Sequence, residues 1–421
     1  MQTNLTGIRH ALLVQLDADG SLNWGVDLGD SDATNLAVDG QGNVLVSGSF
    51  EDALDLGSGS LTDAGFGDIY IAKYSADGLL QWNKRAGGED TEYSCLVSVD
   101  GQSNIYFAIE SYSVNVDFAG TPAVTLPEGA GQLLLGKLNP DGDLQWVKSH
   151  GGTNVPGEES SCFATAIKTD SAGNTYMMGL FGRSNFFGNL LLTSPYAVNN
   201  FVAKFGPAGE PLWAKPIRMR RFGINYNELD IDVAGNCYPT GSIRDTVHFD
   251  NGLTLARQGT ISDGFVAKYA NADGNLEWVK TIWGGSIRPR GLAVYNEESL
   301  LLGGYFSGLL HYENETLDSR GGQNAFLGLL GPDIMVSADE PVDGLSMLRV
   351  YPNPSAGVFQ LTTATPIPVD LEVLDTKGTI LFRRSAVLTD QAIDLTALPA
   401  GVYFVKIMLA GRSEVKQVVI K

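Results

Sequence analysis

The sequence predicts an all-β chain: a β-propeller of about five to six four-stranded blades over residues 1–335, a linker over 336–346, and a small antiparallel β-sandwich over 347–421. Three observations carry this. A tryptophan phrase recurs at near-constant spacing, short apolar runs are punctuated by Asp-Gly and Gly-Asn turns, and both patterns stop together near residue 335. Self-similarity at such a period is the mark of a propeller or another repeat array, and short β-rich runs between tight turns are the mark of antiparallel sheets.

The phrase reads "DGSLNWGVDLG", "DGLLQWNKRAGG", "DGDLQWVKSHGG", "AGEPLWAKPIR" and "DGNLEWVKTIWGG", and its tryptophans are Trp24, Trp82, Trp146, Trp213 and Trp278, spaced by 58, 64, 67 and 65 residues. Before each comes an apolar strand, "ALLVQL", "IYIAKY", "LLLGKL", "FVAKF" and "FVAKY", with a sixth copy, "AFLGLL", at 325–330. After each comes a strand ending near Asp39, Asp100, Asp170 or Asp232, then a tight turn and a further strand such as "GNVLVSGSF" or "GNTYMMGLF". Asp-Gly and Gly-Asn favour positive φ and tight hairpins, so the unit is one four-stranded blade.

Alternation assigns faces. Tyr70, Ala72 and Tyr74 point one way, and Phe201, Ala203, Phe205 and Phe265, Ala267, Tyr269 repeat that aromatic-small-aromatic face. An alanine between rings leaves room for a ring from a facing sheet. A lone four-stranded sheet leaves its faces and edges bare, whereas radial stacking hides the faces and shortens the edges. The five tryptophans are therefore expected to fill the seams between neighbouring blades, a packing role.

These units resemble the bacterial β-propeller repeat family of secreted proteins, over roughly residues 1–335. The register is uneven: the "FVAK"-type strand occurs six times and the other strands five times, and "LTGIRHALLVQL" matches the second half of an inter-blade stretch. The expectation is that residue 1 is an internal position of a longer protein whose upstream sequence completes a sixth or further blade. The alternative is a five-bladed ring with one strand as a closing clasp. The opening "MQTNLTGIRHALLVQL" shows neither the basic and apolar regions nor the cleavage site of a secretory signal.

The tail differs in charge. From Ser337 onward there are nine acidic and eight basic residues, which leaves 39 acidic and 20 basic residues upstream. Its strands, "LRVYPNPSAGVFQL", "VDLEVLDTKGTILF", "DLTALPAGVYFVKI" and "KQVVIK", are separated by proline and glycine turns. Pro352 and Pro354 fix φ and exclude helix before them, and Gly357 can supply a turn. The segment resembles the type A C-terminal sorting domain recognised by the type IX secretion system of Bacteroidetes. The resemblance rests on Tyr351, Pro352, Asn353, Pro354, Gly357, Phe359 and Leu361, on Asp375 and Gly378, on Leu398 through Gly401 and Tyr403, and on the last strand to Lys421. It implies the type IX machinery as a partner, delivery to the medium or the outer-membrane surface, and frequent cleavage of the domain.

The remaining candidates are weighed on chemistry. "DADG" at Asp17, "NPDGD" at Asn139 and "NADGN" at Asn271 look like pieces of calcium loops, but the ~12-residue spacing and closing glutamate of an EF-hand are missing, and hairpin turns explain them better. Lys73, Lys137, Lys204 and Lys268 hold one equivalent place per repeat, and pairing with the Asp39, Asp100, Asp170 and Asp232 class is expected over a ring of anion-binding ammonium groups. Cys95, Cys162 and Cys237 lack any C-x-x-C spacing and read as small core residues. "RMRRFG" at 218–223 reads as a solvated basic loop. No catalytic, cofactor or metal-binding residue can be nominated: hydrolase-elbow, zincin and P-loop motifs are missing, and His10, His150, His248 and His311 lie in different repeats.

The net charge of −20 repels a phosphate backbone, so nucleic acid is not expected as a partner. No run approaches the ~18 apolar residues of a membrane-spanning helix. The functional expectation is a non-enzymatic, exported propeller that binds protein or glycan at the cell envelope. The alternative is a polysaccharide-active hydrolase or lyase with paired carboxylates at the ring axis.

Overall fold

A computed structural model describes residues 10–126, 131–151, 161–219, 228–296, 299–313, 315–331, 349–351, 353, 355–362, 368–375, 379–389, 391–409 and 412–421. Every named element among them is a β-strand. The chain divides into two compact units, Met1–Gly331 and Pro332–Lys421. The linker expected over 336–346 lies outside the described residues.

The first unit contains the expected four-stranded sheets. The first blade is Asp32–Val38, Val44–Phe50, Asp68–Tyr74 and Leu80–Gly87, paired antiparallel in that order. The second is Glu92–Val99, Ile105–Ser111, Gln132–Leu138 and Leu144–His150. The third is Cys162–Thr169, Thr175–Phe181, Asn199–Phe205 and Pro211–Met219. The fourth starts with Glu228–Ile231, Cys237–Ile243 and Asp263–Tyr269, and its outer strand is the first part of Leu276–Asn296. That long strand changes partner near Trp283 and opens a three-stranded fifth blade with Ser299–Tyr312 and Glu315–Leu330. At the other end, Leu12–Leu16 and Leu22–Asp27 form a two-stranded half-blade. Leu12–Leu16 pairs with Leu22–Asp27 alone, so the closing clasp is not formed among the described residues.

Five apolar clusters lie between successive sheets, and this seam-by-seam core makes the unit propeller-like. Tyr70, Ala72 and Tyr74 pack toward the half-blade while Ile69 and Ile71, on the opposite face, pack on the second blade. Phe201, Ala203 and Phe205 meet the second blade, and Phe265, Ala267 and Tyr269 meet the third. Burial of these rings is the main driving force: each fully buried large apolar side chain contributes about 1.5–3 kcal/mol. Cys95, Cys162 and Cys237 are buried and free within the same seams.

One recurrent element is not legible as a strand pair in the repeats. Between the second and third strands of each complete blade sits a short hairpin: Ala53–Asp55 with Ser60–Thr62, Asn115–Phe118 with Thr121–Thr125, Ser184–Phe187 with Leu190–Thr193, and Thr246–His248 with Thr254–Ala256. Two of them reach back to the preceding blade. Asp117 and Phe118 pair with Gly87 and Ala86, and His248 and Val247 pair with Arg218 and Met219. These hairpins cover outer edges that would otherwise template strand addition.

The second unit is a sandwich of a three-stranded sheet, Arg349–Tyr351, Val358–Thr362 and Ala392–Asp394, and a four-stranded sheet ordered Ile380–Leu388, Pro368–Leu374, Gly401–Leu409 and Arg412–Ile420. Phe359, Leu361 and Ile393 from one sheet and Val373, Val405 and Ile407 from the other share one core.

Candidate functional site

The tryptophans stand at one equivalent place in each seam. Trp24 Nε1 donates to the carbonyl of Ala76 at 2.9 Å, Trp82 Nε1 to that of Pro140 at 3.1 Å, and Trp213 Nε1 to that of Asn271 at 3.0 Å. In every case the acceptor belongs to the third-to-fourth-strand turn of the next blade. The glycine of that turn has positive φ and lies against the indole: a Cβ on Gly78, Gly142, Gly209 or Gly274 would stand 2.5–2.9 Å from atoms of Trp24, Trp82, Trp146 or Trp213. Glycine is needed twice over, for the left-handed turn and for the ring's approach. Trp278 packs on Tyr238, with ring centroids 6.0 Å apart.

The repeated lysines lie between rings. Lys137, Lys204 and Lys268 sit over Tyr106, Tyr176 and Tyr238 at 4.8, 5.2 and 6.0 Å, with the blade's tryptophan paired directly across the strand. The expected aspartate pairing holds in two blades, Lys73 with Asp39 at 3.1 Å and Lys137 with Asp100 at 3.9 Å. It fails in the next two. Lys204 donates to Asn271 and Lys268 pairs with Glu277 at 2.8 Å, while Asp170 and Asp232 accept the hydroxyls of Tyr176 and Tyr238 at 3.4 and 2.9 Å. All four aspartates first serve their own turns: Asp39 Oδ1, for example, accepts from the amides of Gln41 and Asn43. The calcium-like fragments do the same, as when Asn139 Oδ1 accepts from the amides of Asp141 and Asp143. Of the basic loop, Arg218 gives its Nε to the Thr193 carbonyl, and residues 220–223 lie outside the described residues.

Two features escaped the sequence. One is a cleft of about 550 Å³ where the half-blade meets the first two blades, lined by Asp30, Asp32, Glu51, Asp52 and Glu92, by the buried ring of Phe50 and by two outer rings. Those rings are bare: Phe66 is 75% and Tyr93 59% exposed. The other is a buried carboxyl pair. Asp68 and Glu92 converge beside Gly87, where a Cβ would lie 2.1 Å from Asp68 Oδ1 and 2.6 Å from Glu92 Oε2. Arg85 bridges Asp68 to Asp117, and Ser111 Oγ donates to Glu92 at 2.7 Å. Burial pushes Glu92 up to about 7 and outweighs Arg85 in raising Asp68. The signal in sequence was weak, since the acids belong to different strands and only the seam brings them together.

In the second unit the sorting-motif residues gather where the last strand ends. Asn353 Oδ1 accepts the amide of Val419 at 2.9 Å, Ser355 N donates to the Val419 carbonyl, and Lys421 N donates back to the Ser355 carbonyl, both at 2.9 Å. Gly357, at φ 95°, passes so close to Thr396 that a Cβ would lie 2.9 Å from its Cα, and its carbonyl accepts from Leu395 N at 2.7 Å. Phe359 and Leu361 are core, Gly401 pairs with Ile420, and Tyr403 gives its hydroxyl to the Pro399 carbonyl at 2.8 Å. Tyr351 pairs with Gln360 in the three-stranded sheet, and Pro352 and Pro354 lie outside the described residues. The motif thus clamps the C-terminal strand to the first turn of the sandwich.

Comparison with known proteins is asymmetric between the units. A 236-residue stretch is 21% identical to an uncharacterized WD repeat-containing protein, L264, of Acanthamoeba polyphaga mimivirus, covering 47% of this chain and 17% of that protein. Among solved structures, PorZ, a surface component of the type-IX secretion system of Porphyromonas gingivalis, aligns at TM-score 0.26 and 12% identity over 95% of this chain and 63% of its own. The polysaccharide lyase Uly1 aligns at TM-score 0.35 and 10% identity over 95% of this chain and 85% of its own. Likenesses of this size assign neither fold nor activity. Residues 349–421, by contrast, match the family model of the secretion system C-terminal sorting domain along the whole described sandwich. The second unit of this chain is a type IX secretion C-terminal sorting domain, the mark of a secreted or cell-surface protein.

Proposed function

We propose that the first unit is a glycan-binding cargo, exported by its C-terminal sorting domain, and that it holds its ligand without transforming it. The cleft beside Phe66 and Tyr93 carries this reading. Large exposed rings are costly to leave in water and offer flat apolar faces for the C–H faces of sugars, while the carboxylates of Asp30, Asp32, Glu51 and Asp52 accept hydrogen bonds from hydroxyl groups. The cleft's volume is within the range of small-ligand sites. Binding rather than turnover is supported by Asp68 and Glu92: the two carboxyls that approach one another are 0% and 1% exposed and already engaged by Arg85 and Ser111.

Two measurements test the two halves. The full chain, with and without residues 349–421, is expressed in a Bacteroidetes host and fractionated; surface or medium delivery of the truncated form refutes export by the tail. Purified protein is screened on a glycan array, and Phe66→Ala and Tyr93→Ala are expected to weaken a hit at least tenfold. Retention of binding by both variants, or binding to proteins alone, overturns the glycan reading. Release of reducing ends or unsaturated products from the bound glycan favours the hydrolase or lyase.

A further inference from the structure

The two segments that carry the cleft's outer rings are tied to one buried carboxyl pair. Phe66 lies in the loop that enters strand Asp68–Tyr74, and that loop is fixed at Ala64, whose amide donates to Asp68 Oδ2 at 3.0 Å. Tyr93 directly follows Glu92, whose own amide donates to the Gly67 carbonyl at 3.0 Å. The Glu92 carboxyl is buried, with Ser111 Oγ donating to Oε1 at 2.7 Å and the Gly88 amide to Oε2 at 3.1 Å. Tyr93 in turn packs edge-on against Tyr112, with ring centroids 5.6 Å apart.

The two carboxyls converge with nothing between them. Asp68 Oδ1 and Glu92 Oε2 both lie within 2.6 Å of the point a Cβ on Gly87 would take, and Asp68 Oδ1 accepts no hydrogen bond among the described residues. With Glu92 protonated the pair carries one negative charge; without that proton, two buried carboxylates oppose one another. The surrounding charges do not offset the second one. Arg85 is already shared between Asp68 and Asp117, the Asp63 carboxylate acts on Asp68 with the same sign, and Asp30, Asp32, Glu51 and Asp52 line the cleft that Glu92 also lines. Burial first, and Asp68 after it, keep the proton on Glu92 up to about pH 7. Glu110, beside Tyr112, is raised to the same range by burial alone, with no like charge acting on it. Asp68 and Glu92 are the first residues of their strands, so the side that yields to repulsion is the loops and not the sheets.

We propose that Asp68 and Glu92 form a proton latch on the cleft: while Glu92 keeps its proton the Phe66 and Tyr93 segments are held together, and when it ionises the two carboxylates push those segments apart, so that the cleft grips glycan more tightly on the acid side of neutrality. The ligand rests on the glycan reading above; the latch itself does not. The device is a protonation switch whose two states differ in one buried charge.

Amide hydrogen exchange on the full chain reads the latch without any ligand. The amides of Ala64, Gly88 and Glu92 make the bonds named above. Their opening, corrected for the intrinsic rise of exchange with pH, should increase about tenfold from pH 6 to pH 8, as for a carboxyl that titrates at about 7 when closed and near 4.5 when open. Glu92→Gln should keep their protection level across that range, and Glu110→Gln should follow the wild type. A glycan retained on the array should bind up to about tenfold more weakly at pH 8 than at pH 6, with Glu92→Gln unchanged between the two. Level protection in the wild type, which needs no variant to fold, overturns the latch, as does an equal rise in Glu92→Gln. Opening that rises while a bound glycan keeps its affinity overturns the latch's hold on the cleft. Opening that rises as expected in a protein that retains no glycan supports the latch and sinks the glycan reading.

Discussion

Replacing Gly274 by alanine isolates what the repeated tryptophan phrase does. Gly274 sits at φ +66° in the fourth blade's third turn, and a Cβ there would come within 2.5 Å of Trp213 Cδ2 and 2.6 Å of Cε3. A left-handed conformation costs a non-glycine residue about 1–2 kcal/mol. The overlap adds more, since the indole cannot step aside without losing its 3.0 Å bond to the Asn271 carbonyl and its place in the core, where Trp213 is 5% exposed. Overpacking of this kind costs about 1–3 kcal/mol. The expected loss is therefore about 3 kcal/mol.

Gly252 provides the control. It has φ +88° and nothing within 4 Å of the place a Cβ would take, so Gly252→Ala bears the backbone cost alone, about 1 kcal/mol. Urea unfolding of the first unit, with equal m-values in both variants, measures the difference. Adding Trp213→Ala should erase the steric share of the Gly274→Ala effect, a coupling readable in a double-mutant cycle. Equal losses for Gly274→Ala and Gly252→Ala would refute the claim that the indole and the next blade's turn are built for each other.

Three further outcomes are expected. Glu92, raised by burial from 4.5 to about 7, holds its proton in the folded state over a window where the unfolded chain has lost it. Its contribution is complete below about 4.5 and is lost as pH rises through 7; Glu92→Gln should remove up to about 3 kcal/mol of that slope between urea midpoints at pH 5 and pH 8, leaving the shares of Glu110, Asp68 and Glu228, raised likewise by burial. Lys73→Met strands the buried Asp39 and should cost about 3 kcal/mol, whereas Lys168→Met, whose side chain is 44% exposed beside Asp230, should cost under about 1 kcal/mol in the same denaturation assay. Tyr403→Phe removes the bond to the Pro399 carbonyl and should lower only the sandwich's stability, by about 1 kcal/mol, seen as an earlier thermal transition of that unit with the first unit's unchanged.

The blades were legible because their side-chain period is 2 and their turns have a fixed chemistry. Tyr70, Ala72 and Tyr74 could be placed on one face from spacing alone, and the tight turns were marked by a glycine, most often with an aspartate or asparagine beside it. The inserted hairpins were not legible: Ala53–Asp55 and Thr246–His248 are three residues long, too short to show a period, and the second also pairs with a strand of another blade. The lysine partners were half legible. Lys73 finds Asp39, but Lys204 reaches Asn271 of the next blade and Lys268 takes Glu277.

By itself, then, the amino-acid order determined strand, turn, face and the sorting tail, all of which depend on neighbours within a few residues or on a repeated phrase. The tertiary structure decided what stands across each seam: which glycine lies beneath Trp213, how Asp68 comes to meet Glu92, and why Phe66 and Tyr93 edge one cleft. Those pairings join positions in different strands and blades, and their energies come from burial and close approach, which exist only once the sheets have stacked.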